Sequence, residues 1–226
     1  MDLWKVIHVR VPLFIEFNGR NVLVIGGGAV GTRRAVKFLL AGANVRVLSL
    51  EFSNELIHYA EQGKLELING DAHDLELLRR NIEWADLVVI ATNDSVINER
   101  VRKTARELRK LFNDATNAEE TEVVVPFEGE INGIRIAITT EGLSGVIARR
   151  TLDKVMNFLR EDEELMNMAR VWYAVKSRLK ETVSDVRTRL SLYMELDNDE
   201  KFNELARRGL VDEALNYVMN KALSSG

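Results

Sequence analysis

Three glycines, Gly26, Gly28 and Gly31, follow an apolar run at 21–25 and precede a helical pattern. In a strand–turn–helix unit with this spacing, the first glycine permits a tight turn and the second lets the backbone approach a pyrophosphate. The third lets the helix pack closely on the strand, and the free N–H groups at the helix start hold the phosphates. The spacing predicts a dinucleotide-binding turn. The alternative is a glycine turn that serves packing alone.

The kind of dinucleotide depends on the residues at the end of the second predicted strand, 44–50. Glu51 can accept hydrogen bonds from the adenosine ribose, or it can be a solvated residue at a helix start. No arginine stands immediately after this strand to bind a 2′-phosphate, which favours NAD over NADP. The predicted cofactor contacts are Gly26, Gly27, Gly28, Ala29, Val30, Gly31, Ser49, Glu51, Thr92, Asn93 and Asn98.

Polar side chains also follow the fourth and fifth predicted strands. Thr92, Asn93 and Asn98 can bind a ribose or a nicotinamide amide, although residues 93–95 can equally form a turn and a helix N-cap. Asp114 and Thr116 lie two residues apart in a fifth strand predicted at 112–117, so an extended chain points them to the same side. This side-chain pair would lie at the carboxyl edge, where open α/β sheets bind ligands.

Two pairs of arginines lie near predicted helix starts. Arg33 and Arg34 oppose the helix dipole, which is tolerable if an anion binds there or if the side-chain stems cover apolar surface. Ser144 is a candidate N-cap of a later helix, and Arg149 and Arg150 follow it by about a turn and a half.

The elements that must position these residues are short apolar runs that alternate with helical patterns. Runs at 21–25, 44–50, 64–69 and 86–92 predict a doubly wound, Rossmann-type α/β domain over residues 1–122. Asn132-Gly133 between apolar strands predicts a β-hairpin, within a strand-rich segment at 123–153. The remainder, 154–226, is predicted to be an all-helical domain. Tyr217 and Lys221 match a Y-x-x-x-K spacing there, but their amphipathic helix predicts packing.

Composition excludes several classes of site. The 226 residues contain no cysteine, which excludes disulfides, cysteine-ligated metals and a cysteine nucleophile. Three scattered histidines predict no resident metal site, and the net charge of −4 argues against nucleic acid as a partner. No run approaches the roughly 18 apolar residues of a membrane span, and the start lacks signal-peptide features, so we expect no membrane association and a cytoplasmic location.

Three stretches, "PLFIEFNGRNVLVIGGGAVGTRRAVKFLLAGANVRVLS", "ADLVVIATNDSVIN" and "ITTEGLSGVIARRTLDKV", resemble the dehydrogenase/ferrochelatase module of sirohaem synthase. The similarity spans nearly the whole chain. It implies NAD-dependent oxidation of precorrin-2 to sirohydrochlorin and, in bifunctional members, insertion of ferrous iron. It also implies a homodimer, built by the strands of 126–153 and the helical tail, with the active site at the dimer interface.

The resemblance implies a tetrapyrrole substrate rich in carboxylates, which guanidinium groups bind through two hydrogen bonds. The expected substrate-binding residues are Arg33, Arg34, Ser144, Arg149 and Arg150. Ser144 matches the active-site serine of the family. Gly145 replaces the usual proline, Gly31 the usual alanine and Arg34 the usual lysine.

One departure concerns the general base. Counting back from Pro126, Thr116 stands where the family has its catalytic aspartate, and Asp114 lies two residues earlier. Asp114 can take over the role if the chain or substrate shifts by roughly 6–7 Å. We therefore predict Asp114 and Thr116 as the catalytic residues and leave chelatase activity open. The alternatives are an NAD-dependent oxidoreductase with another small substrate, and a non-enzymatic NAD-binding sensor.

Overall fold

The computed structural model describes residues 10–224 and contains two compact units. The first unit comprises the described residues up to Val125 together with 141–143, and the second comprises 126–140 and the residues from Ser144 onward. The hairpin thus groups with the helices. The predicted division at 122 and 153, with a separate dimerisation segment, stays a prediction. The expectation that the chain lacks a signal peptide concerns its first residues, and residues 1–9 lie outside the described part of the chain.

The first unit is built on a five-stranded parallel sheet, which confirms the predicted fold class. The sheet order is β3-β2-β1-β4-β5, and every pairing is parallel. Its strands are β1 (Asn21–Ile25), β2 (Asn44–Ser49), β3 (Glu66–Asn69), β4 (Leu87–Ile90) and β5 (Leu111–Asp114). The crossover helices are α1 (Ala29–Leu40), α2 (Asn54–Glu61), α3 (Leu75–Trp84) and α4 (Ser95–Glu107).

Both faces of the central strand β1 are buried, because successive side chains point to opposite faces of the sheet. Leu23 and Ile25 join a core with α3 and α4, whereas Val22 and Val24 join a second core with α1 and α2. Ile25 pairs in register with Leu48 of β2 and with Ile90 of β4. The carboxyl ends of these three strands therefore meet at one edge, where the strand order reverses and a crevice forms.

The fifth strand is shorter than predicted. It ends at Asp114 and does not continue to residue 117. The carboxylate of Asp114 accepts hydrogen bonds from the N–H groups of Thr116 and Asn117, and this local turn bends the backbone away from the ladder. The prediction that Asp114 and Thr116 share one face of an extended strand is therefore wrong.

Among the described residues, the second unit contains the predicted hairpin and five helices. Strands β6 (Phe127–Ile131) and β7 (Ile134–Ile138) are antiparallel and joined by Asn132 and Gly133, both with positive φ. The helices are α5 (Gly145–Glu161), α6 (Glu163–Thr182), α7 (Val186–Asp197), α8 (Glu200–Arg207) and α9 (Val211–Ser224). Within residues 10–224 we find no helix with the length and apolarity that a membrane span requires.

An ionic cluster ties α9 to the start of α8. Asp199 caps α8 by accepting the N–H of Phe202, and its Oδ2 accepts hydrogen bonds from Tyr217 at 2.8 Å and Lys221 at 2.7 Å. Tyr217 also packs against the helical core, as the amphipathic pattern predicts. Burial acts to raise the pKa of Asp199, but the hydrogen bonds from Lys221, Phe202 and Tyr217 outweigh it and lower this pKa to about 2.

We predict that Asp199→Asn destabilises the chain by about 1–2 kcal/mol at neutral pH, because it weakens two hydrogen bonds to a charged acceptor. The folded-state pKa lies below the ordinary value of 3.8, so this stabilisation is fully present above that pH and is lost as the pH falls through about 2. Urea unfolding of both proteins at pH 7 and at pH 2–3 measures the difference. Asp197→Asn, at an exposed neighbouring carboxylate, serves as the control; an equal loss there would contradict the prediction.

Candidate functional site

The glycine turn after β1 is a place where three backbone segments approach too closely for side chains. Gly26 has a φ of +109°, and a Cβ on it would lie 2.4 Å from the carbonyl oxygen of Ala91. A Cβ on Gly31 would lie 1.8 Å from the carbonyl oxygen of Gly26. These are the tight turn and the close helix packing that the first and third glycines of the fingerprint provide.

Gly28 differs from its neighbours because no atom lies within 4 Å of the position that its Cβ would occupy. It is the N-cap of α1, it offers no capping side chain, and no acidic residue lies in the first turn of the helix. The N–H groups of that turn have no acceptor within the helix, and the positive end of the dipole lies there. The arrangement fits a phosphate group approaching at Gly28.

The loop after β2 packs directly on the same turn. Gly27 donates its N–H to Oγ of Ser49 at 3.0 Å, and Ser53 donates its N–H to the carbonyl of Gly27. The hydroxyl oxygens of Thr32 and Ser53 lie 2.8 Å apart, which links α1 to the start of α2. The hydroxyl of Ser49, predicted as a cofactor contact, therefore has a partner in the turn itself.

A cavity of about 600 Å³ opens at this edge of the sheet. Its volume is typical of a small-molecule or cofactor site. The exposed carboxylate of Glu51 lines it, and the described lining residues include no lysine or arginine. The walls are formed by Ile25, Gly26, Gly27, Gly28, Leu48, Ser49, Leu50, Glu51, Phe52, Ser53, Gly70, Asp71, Ala72, Ala91, Thr92, Asn93 and Ile97.

Two of the three polar residues predicted as ligands after β4 bind each other. Thr92 donates its hydroxyl to Oδ1 of Asn98 at 2.6 Å, and Nδ2 of Asn98 donates to the carbonyl of Thr92 at 3.1 Å. Asn98 is 4% exposed. Asp94 caps α4 through the N–H groups of Val96 and Ile97, as the turn interpretation predicted. Asn93 is exposed on the cavity wall and has no hydrogen-bond partner among the described residues.

Asp114 and Thr116, predicted as catalytic, are in contact but differ in exposure. Thr116 is exposed and donates its hydroxyl to Oδ1 of Asp114 at 2.7 Å. The side chain of Asp114 is fully buried, and its Oδ2 accepts a hydrogen bond from Arg102 at 2.5 Å. The catalytic role of both residues stays a prediction.

Arg102 is the residue that the sequence interpretation missed. Its side chain is 10% exposed although α4 is rich in charge. Burial acts to lower the pKa of Arg102, but hydrogen bonds to Glu99 and Asp114 outweigh it and raise this pKa. The available signal was spacing: Asn98 and Arg102 lie four residues apart on the buried face that Val101 and Ala105 also occupy.

The predicted substrate-binding residues belong to both units. In the first, Arg33 is exposed and Arg34 is half-buried, and neither has a carboxylate at ion-pair distance within residues 10–224. The pKa of Arg34 is lowered mainly by burial of its side chain and to a smaller extent by the charge of Arg33. In the second, Arg149 pairs with Asp153 at 3.4 Å and Arg150 is exposed.

Ser144 is the N-cap of α5. Its hydroxyl oxygen accepts the N–H of Ile147 at 3.3 Å, and its own N–H donates to the hydroxyl of Thr140. The capping interpretation of Ser144 therefore holds. Its substrate-binding role, like that of the four arginines, stays a prediction.

The chain is similar to a known protein family and to several named proteins. Residues 13–127 match the family described as "Putative NAD(P)-binding". A protein of Methanocaldococcus jannaschii named "Putative precorrin-2 dehydrogenase" is 35% identical over 86% of this chain and 93% of its own length. A "Siroheme synthase" of Photorhabdus laumondii is 28% identical over 90% of this chain, which spans only 42% of that protein.

A solved structure also shares the fold. The protein named "SirC, precorrin-2 dehydrogenase" superposes with a TM-score of 0.71 and 23% identity, over 93% of this chain and 100% of that one. The likeness covers sheet, hairpin and helices together.

We predict that alanine lowers the affinity for a dinucleotide at one glycine of the turn and lowers folding stability at another. Gly28→Ala adds a methyl group to open space, so folding stability stays within about 0.5 kcal/mol while the Kd for a dinucleotide rises about tenfold or more, because the methyl takes the space of the pyrophosphate. Gly31→Ala forces a clash with the carbonyl of Gly26 and lowers the free energy of unfolding by about 1–3 kcal/mol. Calorimetric titration with NAD and urea unfolding test the pair. Unchanged affinity in Gly28→Ala would contradict the assignment of the phosphate site.

Proposed function

The chain belongs to the precorrin-2 dehydrogenase family, and from that premise we propose that it oxidises precorrin-2 to sirohydrochlorin with NAD as the hydride acceptor. The observation that carries the proposal is the glycine turn with its open Gly28, beside a cavity of cofactor size. The reaction removes a hydride and a proton from the reduced tetrapyrrole, and NAD supplies the acceptor for the hydride. The reaction therefore yields sirohydrochlorin, NADH and a proton.

The proposed role of the first unit is to bind and orient the dinucleotide. The N–H groups at the start of α1 hold the pyrophosphate, and Gly28 leaves room for it. Glu51 accepts hydrogen bonds from the adenosine ribose. With Glu51 and Asp71 on the described walls and no cation among them, a 2′-phosphate would meet negative charge, which supports NAD over NADP.

The proposed role of the arginines is to bind the carboxylates of the substrate. Arg33 and Arg34 carry two adjacent positive charges, and neither is neutralised by a carboxylate among the described residues. Two guanidinium groups side by side repel each other, so an anionic partner stabilises both. We assign the same role to Ser144, Arg149 and Arg150 of the second unit.

We also propose that the enzyme is a cytoplasmic homodimer. The support in the second unit is a set of exposed apolar side chains on α5 and β6, namely Phe127, Val146, Ile147 and Phe158. Apolar surface that two copies bury between them stabilises a dimer. Pairing of two copies through the hairpin and α5 would cover them.

Two other functions remain as alternatives. An oxidoreductase with another small substrate would bind NAD at the same turn but would not turn over precorrin-2. A non-enzymatic NAD-binding sensor would bind NAD without any oxidation. The unneutralised charges of Arg33 and Arg34 favour a polyanionic substrate over a small neutral one.

We predict that the purified chain converts precorrin-2 to sirohydrochlorin under anaerobic conditions, with one NADH formed per molecule of product. Absorbance follows both products, and a parallel assay with NADP is expected to show a lower kcat/KM. Binding of NAD without any conversion would contradict the proposal and favour the sensor. Addition of Fe²⁺ or Co²⁺ to the product mixture measures chelatase activity separately.

We predict that Arg33→Gln and Arg34→Gln each raise the KM for precorrin-2 by about tenfold, because each loses a charged hydrogen bond to a carboxylate. The Kd for NAD is expected to stay within about twofold. The control is Arg79→Gln, an exposed arginine that pairs with Glu83 and Glu107. If KM stays at the control value, the arginines do not bind substrate.

A further inference from the structure

We propose that Arg102 and Asp114 form a buried positioning pair, which fixes the loop after β4 against the cofactor cavity through Thr116 and Asn98. In this proposal Asp114 is not the proton acceptor of the reaction. The inference rests on the proposed function only where turnover is measured, because the hydrogen-bond network itself lies in the first unit and needs no ligand.

The surroundings of Asp114 are those of an anchor. Its Oδ1 accepts hydrogen bonds from the N–H groups of Thr116 and Asn117 and from the hydroxyl of Thr116. Its Oδ2 accepts one from Arg102, and the side chain has no exposed surface. A general base must come within hydrogen-bond reach of the proton that it removes.

The direction of each hydrogen bond in the network follows from that anchor. Because the hydroxyl proton of Thr116 points to Asp114, its oxygen accepts the hydrogen bond that Nδ2 of Asn98 donates at 3.2 Å. The second hydrogen of the same amide goes to the carbonyl of Thr92. Oδ1 of Asn98 is therefore the acceptor for the hydroxyl of Thr92.

The far end of the network is the cavity wall. The hydroxyl and the carbonyl of Thr92 both form hydrogen bonds with Asn98, and the hydroxyl oxygen also accepts the N–H of Asp94. Asn93 lies between these fixed residues and presents its side chain to the cavity. Ala91, which precedes Thr92, contacts the glycine turn at Gly26. The position of this wall therefore depends on a pair of charges outside the cavity.

Substitution of Thr116 distinguishes a positioning role of Asp114 from a role in proton transfer. It stands where the resemblance expects an aspartate, it is exposed, and its hydroxyl is bound to a carboxylate. A proton relay from substrate through Thr116 to Asp114 would need the hydroxyl for chemistry. A positioning role needs it only to connect Asp114 to Asn98. The two roles predict different kinetic changes for the same substitution.

The test compares Thr116→Val, which keeps the shape and removes the hydroxyl, with Thr116→Ser, which keeps the hydroxyl. We expect Thr116→Val to raise the Kd for NAD about tenfold while kcat at saturating NAD falls less than tenfold, and Thr116→Ser to stay near the wild type. A fall in kcat of more than about a hundredfold with unchanged Kd in Thr116→Val would establish the relay and overturn the proposal.

Asp114→Asn tests the same point at the anchor. We expect measurable turnover with an unchanged pH profile and a raised Kd for NAD, because the amide oxygen still accepts from Thr116 but pairs poorly with Arg102. Loss of kcat by more than about a thousandfold at unchanged Kd would identify Asp114 as the base. Arg106→Gln is the control on the same helix, since Arg106 pairs with the partly exposed Glu120 and Glu122.

A ligand-free measurement keeps the test independent of the proposed function. Amide hydrogen exchange of residues 91–95 in the unliganded protein reports directly on the loop. We expect the N–H of Asp94 to exchange about tenfold faster in Thr116→Val and near the wild-type rate in Thr116→Ser. If the loop is equally protected in both variants, the network does not position it, whether or not the protein binds NAD or oxidises precorrin-2.

Discussion

The constraint on which the first unit depends is the absence of side chains at the turn after β1. Gly26 lies against Ala91, Gly27 against the carbonyl of Glu51, and Gly31 against Gly26 itself. The loops after β2 and β4 and the start of α1 can meet only because no Cβ separates them. The cavity is the space that remains at the open glycine of this turn, Gly28, so packing and ligand binding are consequences of the same turn.

Hydrogen bonds make this convergence rigid. The loop after β2 is tied to the turn through Ser49 and Ser53, and the loop after β4 is tied to the end of β5 through Asn98. Each tie is made by backbone groups or by short polar side chains, so few rotatable bonds lie between the loops. A preorganised wall reduces the ordering cost of binding a large cofactor.

The fold and the glycine turn could be predicted because their signals are local. Buried strands, the G-x-G-x-x-G spacing and Asn132-Gly133 each occupy a few consecutive residues, and their physical meaning does not depend on distant partners. The hydrogen-bond partners of Thr92, Asn98 and Asp114 could not be predicted in this way, because the folded sheet brings together residues that are distant in the sequence. The sequence therefore predicted Asn98 as a cofactor contact without its partners, and the structure adds hydrogen bonds from its amide to Thr92 and Thr116, while the cofactor contact stays a prediction. The predicted extension of β5 beyond Asp114 was wrong for the opposite, local reason. A turn formed by the side chain of Asp114 competes with the hydrogen-bond ladder of the sheet.

Charge is divided within the first unit in a way that bears on its chemistry. The described cavity walls carry the carboxylates of Glu51 and Asp71 and no cation, so we assign the binding of the dinucleotide phosphates to backbone N–H groups. Arg33 and Arg34 lie on α1 with no carboxylate at ion-pair distance among the described residues, whereas the buried Arg102 is already paired with Asp114. In our proposal, a carboxylate-rich substrate is therefore attracted to α1 and not into the cofactor cavity. Under this proposal two anionic ligands bind the same unit without competing, because backbone dipoles recognise the dinucleotide and side-chain charge recognises the substrate.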